Sequence, residues 1–324
     1  MSLMIDGELR PDWLAAETER GEFVRQDSVF RHWVTADGSP GPSGEGGFAA
    51  EPGRYHLYVS HACPWAHRTL IFRALKGLED LISVSVVHPF MGEAGWSFAT
   101  DFPGATGDTV NGRTFLHEIY RMADRRYTGI VTVPVLWDKQ RGSIVNNESS
   151  EIIRMLNSAF DAFTDRHEDY YPDDLRASID AINARVYEDV NDGVYRAGFA
   201  QTQAAYEAVY DRLFAALDWL EGVLSERRYL TGDRLTEADW RLFTTLSRFD
   251  VVYYGHFKCN RRRLFDYPNL WGFTRELYQH AGVANTVNFA HIKHHYFASH
   301  RHLNPSGIVP KGPEIDFLSP HGRG

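Results

Sequence analysis

Cysteine is scarce in this sequence, with only Cys63 and Cys259 among 324 residues. Two cysteines cannot make the disulfide framework of a small secreted scaffold, and such low usage is typical of a reducing compartment. A cysteine that stays reduced is free to act as a nucleophile.

Long apolar runs are missing as well. No stretch reaches the length of about 18 apolar residues that a membrane-spanning helix needs. Residues 1–23 include acidic side chains and lack the continuous apolar core of a signal peptide. We therefore expect neither export nor a membrane span, which predicts a cytoplasmic protein.

Basic residues are not in excess. The sequence has 34 Lys and Arg against 43 Asp and Glu, a formal net charge of −9. General binders of nucleic acid or of anionic membranes need a basic surface, so this balance argues against both as partners. An anionic substrate has to be held by local cations or by helix N-termini.

The rest of the composition is that of an ordinary globular protein, with 43% hydrophobic and 24% charged residues. The length exceeds a typical domain of about 100–200 residues and predicts two domains. The run from Gly38 to Gly47 is rich in glycine, proline and serine and cannot sustain a helix or a strand. We interpret residues 1–50 as an irregular N-terminal extension.

Strand and helix patterns alternate over residues 51–160. Pro64 is expected to start one helix and Gly77 to stop it, and Asn147 is expected to cap a later one. The predicted strands are at 55–59, 81–87 and 133–137, the helices at 64–77, 114–126 and 148–156, and a polar excursion at 91–112. This order predicts an α/β thioredoxin-like domain.

Residues 170–324 predict an all-helical domain followed by a C-terminal tail. Amphipathic helical patterns cover 173–190, 203–225, 236–248 and 268–280. Thr236-Glu-Ala-Asp239 has the sequence of a capping box at the start of the third of these helices.

Cys63 lies directly after a predicted strand and directly before Pro64, which places its sulfur at a helix N-terminus. There the unpaired N–H groups and the helix dipole favour the thiolate and lower a cysteine pKa to about 3.5–7.5. A buried structural cysteine is the alternative. The neighbouring Trp65 and the downstream Val133-Pro134, where a thioredoxin-like fold places a cis-proline facing the cysteine, favour the nucleophile.

The fourth position of the cysteine motif is Ala66, so the segment has no second thiol. A mixed disulfide on Cys63 therefore has to be resolved by an external thiol. Cys259 is the alternative internal thiol, but it lies in the predicted helical half, and we interpret it as a packed cysteine.

Several segments together resemble one known family, the glutathionyl-hydroquinone reductases, which form the Xi class of glutathione transferases. The resemblance runs from about residue 27 to the C-terminus. It rests on Tyr58-Val-Ser-His-Ala-Cys-Pro-Trp-Ala-His67, Val133-Pro-Val-Leu-Trp137, Asn147-Glu-Ser149, Asn191-Asp-Gly-Val-Tyr-Arg-Ala-Gly-Phe199 and His294-His-Tyr296.

The resemblance implies that Cys63 takes glutathione off an aromatic ring. It further implies that glutathione is held by Trp96, the backbone of Val133, Glu148 and Ser149. The chemistry of the last two agrees, because Glu148 can pair with the α-ammonium of the γ-glutamyl group while Ser149 and the helix entrance take its carboxylate. The same two residues also suit an ordinary helix cap.

The resemblance places Tyr195 and Tyr296 at the hydroquinone oxygens, with Tyr253 as a neighbour, all three in the helical half. A phenol can donate and accept, so it can hold a ring hydroxyl and stabilise a developing oxyanion. Periodicity does not single these three out among 16 tyrosines, most of which are expected to pack at interfaces. The family also implies a homodimer formed through the helical domains.

The sequence departs from the family at Ile130, where the resemblance implies an arginine that contacts glutathione. Arg125 or Arg126 could replace that cation, although basic residues at a helix end commonly face solvent.

Five of the 15 histidines lie between His291 and His302, which raises the possibility of a metal site. No acidic or thiol residue accompanies them in the sequence, whereas zinc sites want three or four supported ligands. We therefore expect no metal.

The sequence predicts an enzyme that reduces glutathionyl-hydroquinones through a mixed disulfide between Cys63 and glutathione, releasing oxidised glutathione. Two other functions stay open. One is a dehydroascorbate reductase or glutaredoxin-like thiol transferase, which would use Cys63 but not the tyrosines. The other is a non-catalytic ligand-binding protein, against which the Cys-Pro-Trp segment counts.

Overall fold

The computed structural model describes residues 2–10 and 21–323, which fall into two compact units. The first unit comprises the described part of Met1–Trp13 with Gln26–Glu168 and Thr286–Ser299. The second comprises the described part of Leu14–Arg25 with Asp169–Asn285 and the described part of His300–Gly324. Among the described residues, no helix is both long and apolar enough to cross a membrane.

The first unit contains sheets and helices. Its strands are β1 (Ser2–Ile5), β2 (Glu8–Arg10), β3 (Tyr55–Val59), β4 (Ser83–Val86), β5 (Met91–Gly92), β6 (Gly95–Trp96), β7 (Gly129–Val131), β8 (Val135–Asp138) and β9 (Ser143–Asn146). Its helices are α1 (Pro64–Leu75), α2 (Leu116–Ala123), α3 (Ser149–Ser158) and, from the C-terminal segment, α10 (Phe289–His294).

The central sheet has the strand order β4-β3-β8-β9. β3 and β4 are parallel and joined by α1, whereas β8 runs antiparallel to both β3 and β9. All five residues of β3 are buried, as is usual for a central strand covered on both faces. A βαβ unit followed by two antiparallel strands and a helix confirms the predicted thioredoxin-like order.

The expectation that residues 1–50 are irregular differs from the structure at the N-terminus. β1 pairs with β2 and with β7, forming a second sheet of order β2-β1-β7. Asp6 and Gly7 join β1 to β2 with φ values of 51° and 81°. Positive φ at both central residues is the geometry of a type I′ hairpin turn, for which Asp-Gly is a preferred sequence.

The helix boundaries follow the predicted signals closely, with one correction. Pro64 occupies the first turn of α1, and the chain leaves this helix at Lys76 before Gly77, which has φ 63°. Helix α3, however, is capped by Glu148 and not by Asn147. The side chain of Asn147 is used elsewhere, since its Oδ1 accepts from the Phe30 N–H at 3.1 Å.

The second unit is helical. Its helices are α4 (Arg176–Val186), α5 (Gly193–Gly198), α6 (Gln203–Glu226), α7 (Glu237–Arg248), α8 (Tyr254–His256) and α9 (Pro268–Gln279). The capping box is present, because the Asp239 carboxylate accepts from the N–H and the hydroxyl of Thr236 at 2.8 and 3.0 Å. Five-residue π-helical turns follow α4 at Tyr187–Asn191 and α7 at Phe249–Tyr253.

The segment Thr286–Ser299 belongs to the first unit and not to the helical half, which corrects the assignment of 170–324 as one domain. Three polar contacts hold it there: His67 Nε2 to Thr286 Oγ1 at 2.8 Å, His291 Nε2 to the Pro103 carbonyl at 2.9 Å, and His295 Nδ1 to the Pro89 carbonyl at 3.0 Å. The histidine-rich pattern therefore packs this segment against the α/β unit, and a third π turn, His295–Ser299, ends it.

Candidate active site

Cys63 is the N-cap residue of α1. Its backbone is extended, with φ −77° and ψ 122°, and its carbonyl accepts from the His67 N–H at 3.0 Å. The side chain is partly exposed, and no acidic residue occurs in the first turn of α1, every residue of which is described. A sulfur at this position faces the positive end of a helix dipole without a neighbouring carboxylate in that turn, which favours a thiolate.

Val133 faces this cysteine across the unit. The Sγ of Cys63 lies 3.5 Å from the Val133 carbonyl oxygen. The Val133–Pro134 peptide bond is cis, as predicted, and Pro134 precedes β8 and so takes no part in the sheet ladder. The backbone of Val133 is therefore brought beside the sulfur.

Glu148 and Ser149 form the entrance of α3. The Oε1 of Glu148 accepts from the N–H and the hydroxyl of Ser150 at 2.9 and 2.8 Å, and its Oε2 accepts from the Ser28 hydroxyl at 3.3 Å. Glu148 remains partly exposed, whereas Ser149 is buried. The Ser149 hydroxyl oxygen accepts from Nη1 of Arg68, a residue of α1, at 3.3 Å.

Trp96 ends the short β5–β6 hairpin, which lies inside the segment expected to be a polar excursion. The residue is 4% exposed, and its ring stacks on His295 with centroids 4.6 Å apart and planes 24° apart. The histidine that follows α10 therefore supports the tryptophan predicted to contact glutathione.

The three candidate tyrosines divide between the two units. Tyr195 on α5 and Tyr253 in the π turn after α7 lie in the second unit, with their hydroxyl oxygens 3.5 Å apart. Tyr296 lies in the first unit, in the π turn directly after His295, and is 1% exposed. The expectation that all three lie in the helical half is therefore wrong for Tyr296, because its segment is docked on the α/β unit.

Similarity to known proteins gives these residues their context. Residues 62–159 match the glutathione S-transferase N-terminal domain family, and residues 203–276 match its C-terminal domain family. The chain is 57% identical to the glutathionyl-hydroquinone reductase YqjG of Escherichia coli strain K12, over 100% of this chain and 98% of that protein. It is 55% identical to the glutathionyl-hydroquinone reductase PcpF of Sphingobium chlorophenolicum, over 97% and 96% of the two chains.

The chain belongs to the glutathionyl-hydroquinone reductases. A Xi-class glutathione transferase from Natrialba magadii superposes with a TM-score of 0.93 at 49% identity, over 100% of this chain and 97% of that one. The glutathione-bound structure of YqjG superposes with a TM-score of 0.92, over 99% and 98% of the two chains. The predicted Xi class and the thioredoxin-like and helical architecture are thereby confirmed.

Cys259 has a different environment from Cys63 in this Xi-class chain. It lies in the second unit and is fully buried, and burial raises the pKa of its thiol well above the ordinary value. A neutral, enclosed thiol is a poor nucleophile. This agrees with the interpretation of Cys259 as a packed cysteine.

Ile130, where the resemblance implies an arginine, lies in β7 opposite Leu3 of β1 and is 6% exposed. Its carbonyl accepts from the Tyr127 hydroxyl at 2.8 Å. Arg125 and Arg126 lie on the exposed turn before this strand. The structure thus gives position 130 an apolar strand role.

The histidines of the C-terminal segment make packing contacts. Carbonyl oxygens only accept, so Nε2 of His291 donates to Pro103 and Nδ1 of His295 donates to Pro89. Burial also lowers the pKa values of His291 and His294. Within residues 2–10 and 21–323, no group of three or more His, Cys, Asp or Glu residues is arranged to hold a metal ion.

Two residues at the site were missed by sequence reasoning. Arg68 and His295 support Ser149 and Trp96 through a hydrogen bond and a ring stack. Arg68 could have been noticed as an arginine within the predicted helix 64–77. The structure shows that most residues of this helix are buried, Arg68 included. His295 was noticed only as part of the His294-His-Tyr296 segment and the histidine cluster, and its role could not be derived because its partner Trp96 is far away in the sequence.

Proposed function

We propose that this chain reduces glutathionyl-hydroquinones to hydroquinones with glutathione as the reductant and Cys63 as the nucleophile. The observation that carries the proposal is the position of Cys63 at the N-cap of α1, 3.5 Å from the Val133 carbonyl, in a chain 57% identical to YqjG over its full length. The motif offers no second thiol, because Ala66 occupies the fourth position.

In the first step the Cys63 thiolate attacks the sulfur of the aryl thioether. A sulfur–sulfur bond forms between Cys63 and glutathione, the bond from sulfur to the ring carbon breaks, and the ring carbon keeps the electron pair and is protonated. Hydroquinone leaves, and the enzyme carries glutathione as a mixed disulfide.

In the second step the thiolate of a second glutathione attacks the glutathionyl sulfur of this mixed disulfide. Oxidised glutathione leaves, and the Cys63 thiolate returns. One conjugate and one glutathione thus give one hydroquinone and one oxidised glutathione. Cys259 has no part in this cycle, because it is buried and its pKa is raised.

The entrance of α3 has the groups that the γ-glutamyl end of glutathione requires. The Glu148 carboxylate, partly exposed, would pair with the ammonium, and the Ser149 hydroxyl with the helix N-terminus would take the carboxylate. α1 packs beside α3, as the contact from Arg68 to Ser149 shows, so one glutathione can be held at both helix entrances. Trp96 and the Val133 backbone would complete this site.

The tyrosines would act on the ring of the conjugate. A phenol that donates to a ring oxygen favours the keto-like or oxyanion form, from which the ring carbon leaves the sulfur more readily. Tyr195 and Tyr296 would contact the ring oxygens, and Tyr253 would support Tyr195 through the 3.5 Å contact between their hydroxyls.

We also propose that the enzyme is a homodimer associated through its helical units and that it works in the cytoplasm. Family membership supports the first statement, and the low cysteine content, two in 324 residues, supports the second. Light scattering of the purified chain tests the dimer.

A glutaredoxin-like thiol transferase or dehydroascorbate reductase is the second candidate, favoured by the single thiol of the Cys63 segment. One assay separates the two functions. Turnover of a glutathionyl-hydroquinone, with hydroquinone and oxidised glutathione formed in equal amounts, supports our proposal. Turnover restricted to dehydroascorbate or small mixed disulfides would replace it.

A further inference from the structure

Arg68 is a buried cation at the proposed glutathione site. It lies in the second turn of α1 and is 1% exposed. Its Nη1 donates to the Ser149 hydroxyl oxygen at 3.3 Å, and its guanidinium carbon lies 4.6 Å from the centroid of the Trp65 ring. The hydrogen bond to Ser149 links α1, which begins after Cys63, to the first residue of α3.

We infer that Arg68 is a positioning residue for glutathione, which orients the Ser149 hydroxyl toward the γ-glutamyl carboxylate and adds positive charge at the entrance of α3. The inference rests on the proposed function, because it assumes that glutathione binds at the entrance of α3.

The hydrogen bond between Arg68 and Ser149 can have only one direction. A guanidinium has donors only, so the Ser149 oxygen must accept from Arg68. The single hydroxyl hydrogen of Ser149 is therefore directed away from Arg68, where it can be donated to another acceptor. A carboxylate at the entrance of α3 is the acceptor that this arrangement suits.

The charged side chains around the entrance of α3 also indicate a role for Arg68. The first turn of α3 and its cap contain the carboxylates of Glu148 and Glu151, which repel an incoming anion. Arg31 does not offset both, because its guanidinium is paired with Glu151, with Nε 2.7 Å from the carboxylate. Arg68 is bonded to Ser149 and largely shielded from solvent, where a charge acts more strongly than at the surface.

Trp65 explains why arginine is required at this position. The planar guanidinium stacks on the ring while it donates, whereas a lysine ammonium has neither the planar shape nor the fork of donors. We therefore expect Arg68→Lys to restore part of the function of Arg68→Met.

The test measures glutathione binding by calorimetry to the full chain carrying Cys63→Ser, so that no disulfide forms. Arg68→Met should raise the Kd about 10–30-fold, and Arg68→Lys about three- to fivefold. Arg73→Met is the matched control. Arg73 is on the same helix but donates to the carbonyls of Ile82 and Glu79, so its loss should leave the Kd within about twofold.

A glutathione analogue without the γ-glutamyl carboxylate, 4-aminobutanoyl-Cys-Gly, identifies the group that Arg68 serves. Arg68→Met should not weaken binding of this analogue further, and Arg68→Met should raise the Kd for glutathione less in Ser149→Ala than in the chain that keeps Ser149. A Kd for glutathione within twofold of the control, or an equal loss for the analogue, would overturn the inference. If Arg68→Met does not fold, Arg68→Lys answers the same comparison.

The outcome is separable from the proposed function. Loss of glutathione affinity in Arg68→Met, in an enzyme that does not turn over glutathionyl-hydroquinones, would uphold the inference and reject the proposed substrate. Turnover of glutathionyl-hydroquinones, together with an unchanged glutathione affinity in Arg68→Met, would uphold the proposed substrate and reject the inference.

Discussion

The hydroxyl oxygens of Tyr195 and Tyr253 lie 3.5 Å apart in the helical unit. Tyr253 is fully buried, and Tyr195 is 9% exposed. Arg25 lies over the Tyr195 ring, 5.1 Å from its centroid, and pairs with Asp192 at 2.6 Å. Tyr195 and Tyr253, which only the resemblance implied, are thus in contact with each other, and Arg25 packs over the Tyr195 ring.

Removing the hydroxyl of Tyr195 or Tyr296 should lower the activity only toward substrates that carry an aromatic ring. We expect Tyr195→Phe and Tyr296→Phe to lower kcat/KM for a glutathionyl-hydroquinone by about 10–100-fold, the range for one lost hydrogen bond to a developing charge. Reduction of the mixed disulfide from hydroxyethyl disulfide and glutathione should stay within about threefold of wild type, since it needs no oxyanion on a ring. The ratio of the two activities is the measurement. Parallel losses would mean that the tyrosines only pack.

Cys63→Ser should abolish thiol transfer without unfolding the chain, because an alcohol near neutral pH cannot replace a thiolate as attacker or leaving group. Cys259→Ser is the matched control and should be nearly silent in activity, since that thiol is buried with a raised pKa. Steady-state assays on both variants, with circular dichroism to verify folding, test this. A mixed disulfide trapped in Cys259→Ser would identify Cys259 as a resolving thiol.

Glu148 is proposed to bind glutathione and is also the cap of α3, so two substitutions are needed. Glu148→Gln should raise KM for the conjugate about tenfold with kcat within about threefold, because the contact would be present in ground and transition states alike. Glu148→Ala should in addition lower the free energy of unfolding by about 1 kcal/mol through loss of the cap.

Glu151→Gln is the control for Glu148. It removes a carboxylate from the same turn, but one paired with Arg31, and KM should change less than twofold by the proposed geometry. A collapsed kcat with unchanged KM in Glu148→Gln would contradict a binding role.

Stability should fall as the pH is lowered from about 6.5 to 4. Burial lowers the pKa values of His56 and His256 to about 4, whereas both would titrate at about 6.5 in the unfolded chain. In this window the unfolded chain binds protons that the folded chain does not, so acid favours unfolding, and the stabilisation is fully present only above the unfolded pKa.

Thermal melts of the wild type and of His56→Gln and His256→Gln over this pH range provide the measurement. Each substitution should flatten the decline of Tm, whatever its effect at neutral pH. His167→Gln, at an exposed position, should leave the slope unchanged. Equal slopes for all four proteins would rule out the buried histidines as the cause.

Local signals predicted most of the fold. Pro64 and Gly77 bracket α1, and Thr236 with Asp239 begins α7, because these residues satisfy or end a helix through contacts within a few positions. The first hairpin was missed although Asp6-Gly7 is a turn signal, since its strands are short and β7, the second partner of β1, lies more than a hundred residues away.

The candidate site was less accessible to sequence reasoning. Cys63 could be derived from its strand, proline and helix, whereas Tyr195, Tyr253 and Tyr296 came from resemblance alone. These tyrosines lie in or just after π-helical turns, which sequence periodicity does not reveal. The docking of Thr286–Ser299 on the α/β unit depends on long-range contacts of histidines, so the placement of Tyr296 was predicted wrongly.

The central claim is that Cys63 accepts glutathione from the conjugate itself. Intact-mass measurement after mixing the enzyme with a glutathionyl-hydroquinone, in the absence of free glutathione, tests it most directly. We predict one glutathionyl group per chain, mapped to Cys63, with one hydroquinone released, and no adduct on Cys63→Ser. Hydroquinone release without an adduct, or an adduct on Cys259, would contradict the account.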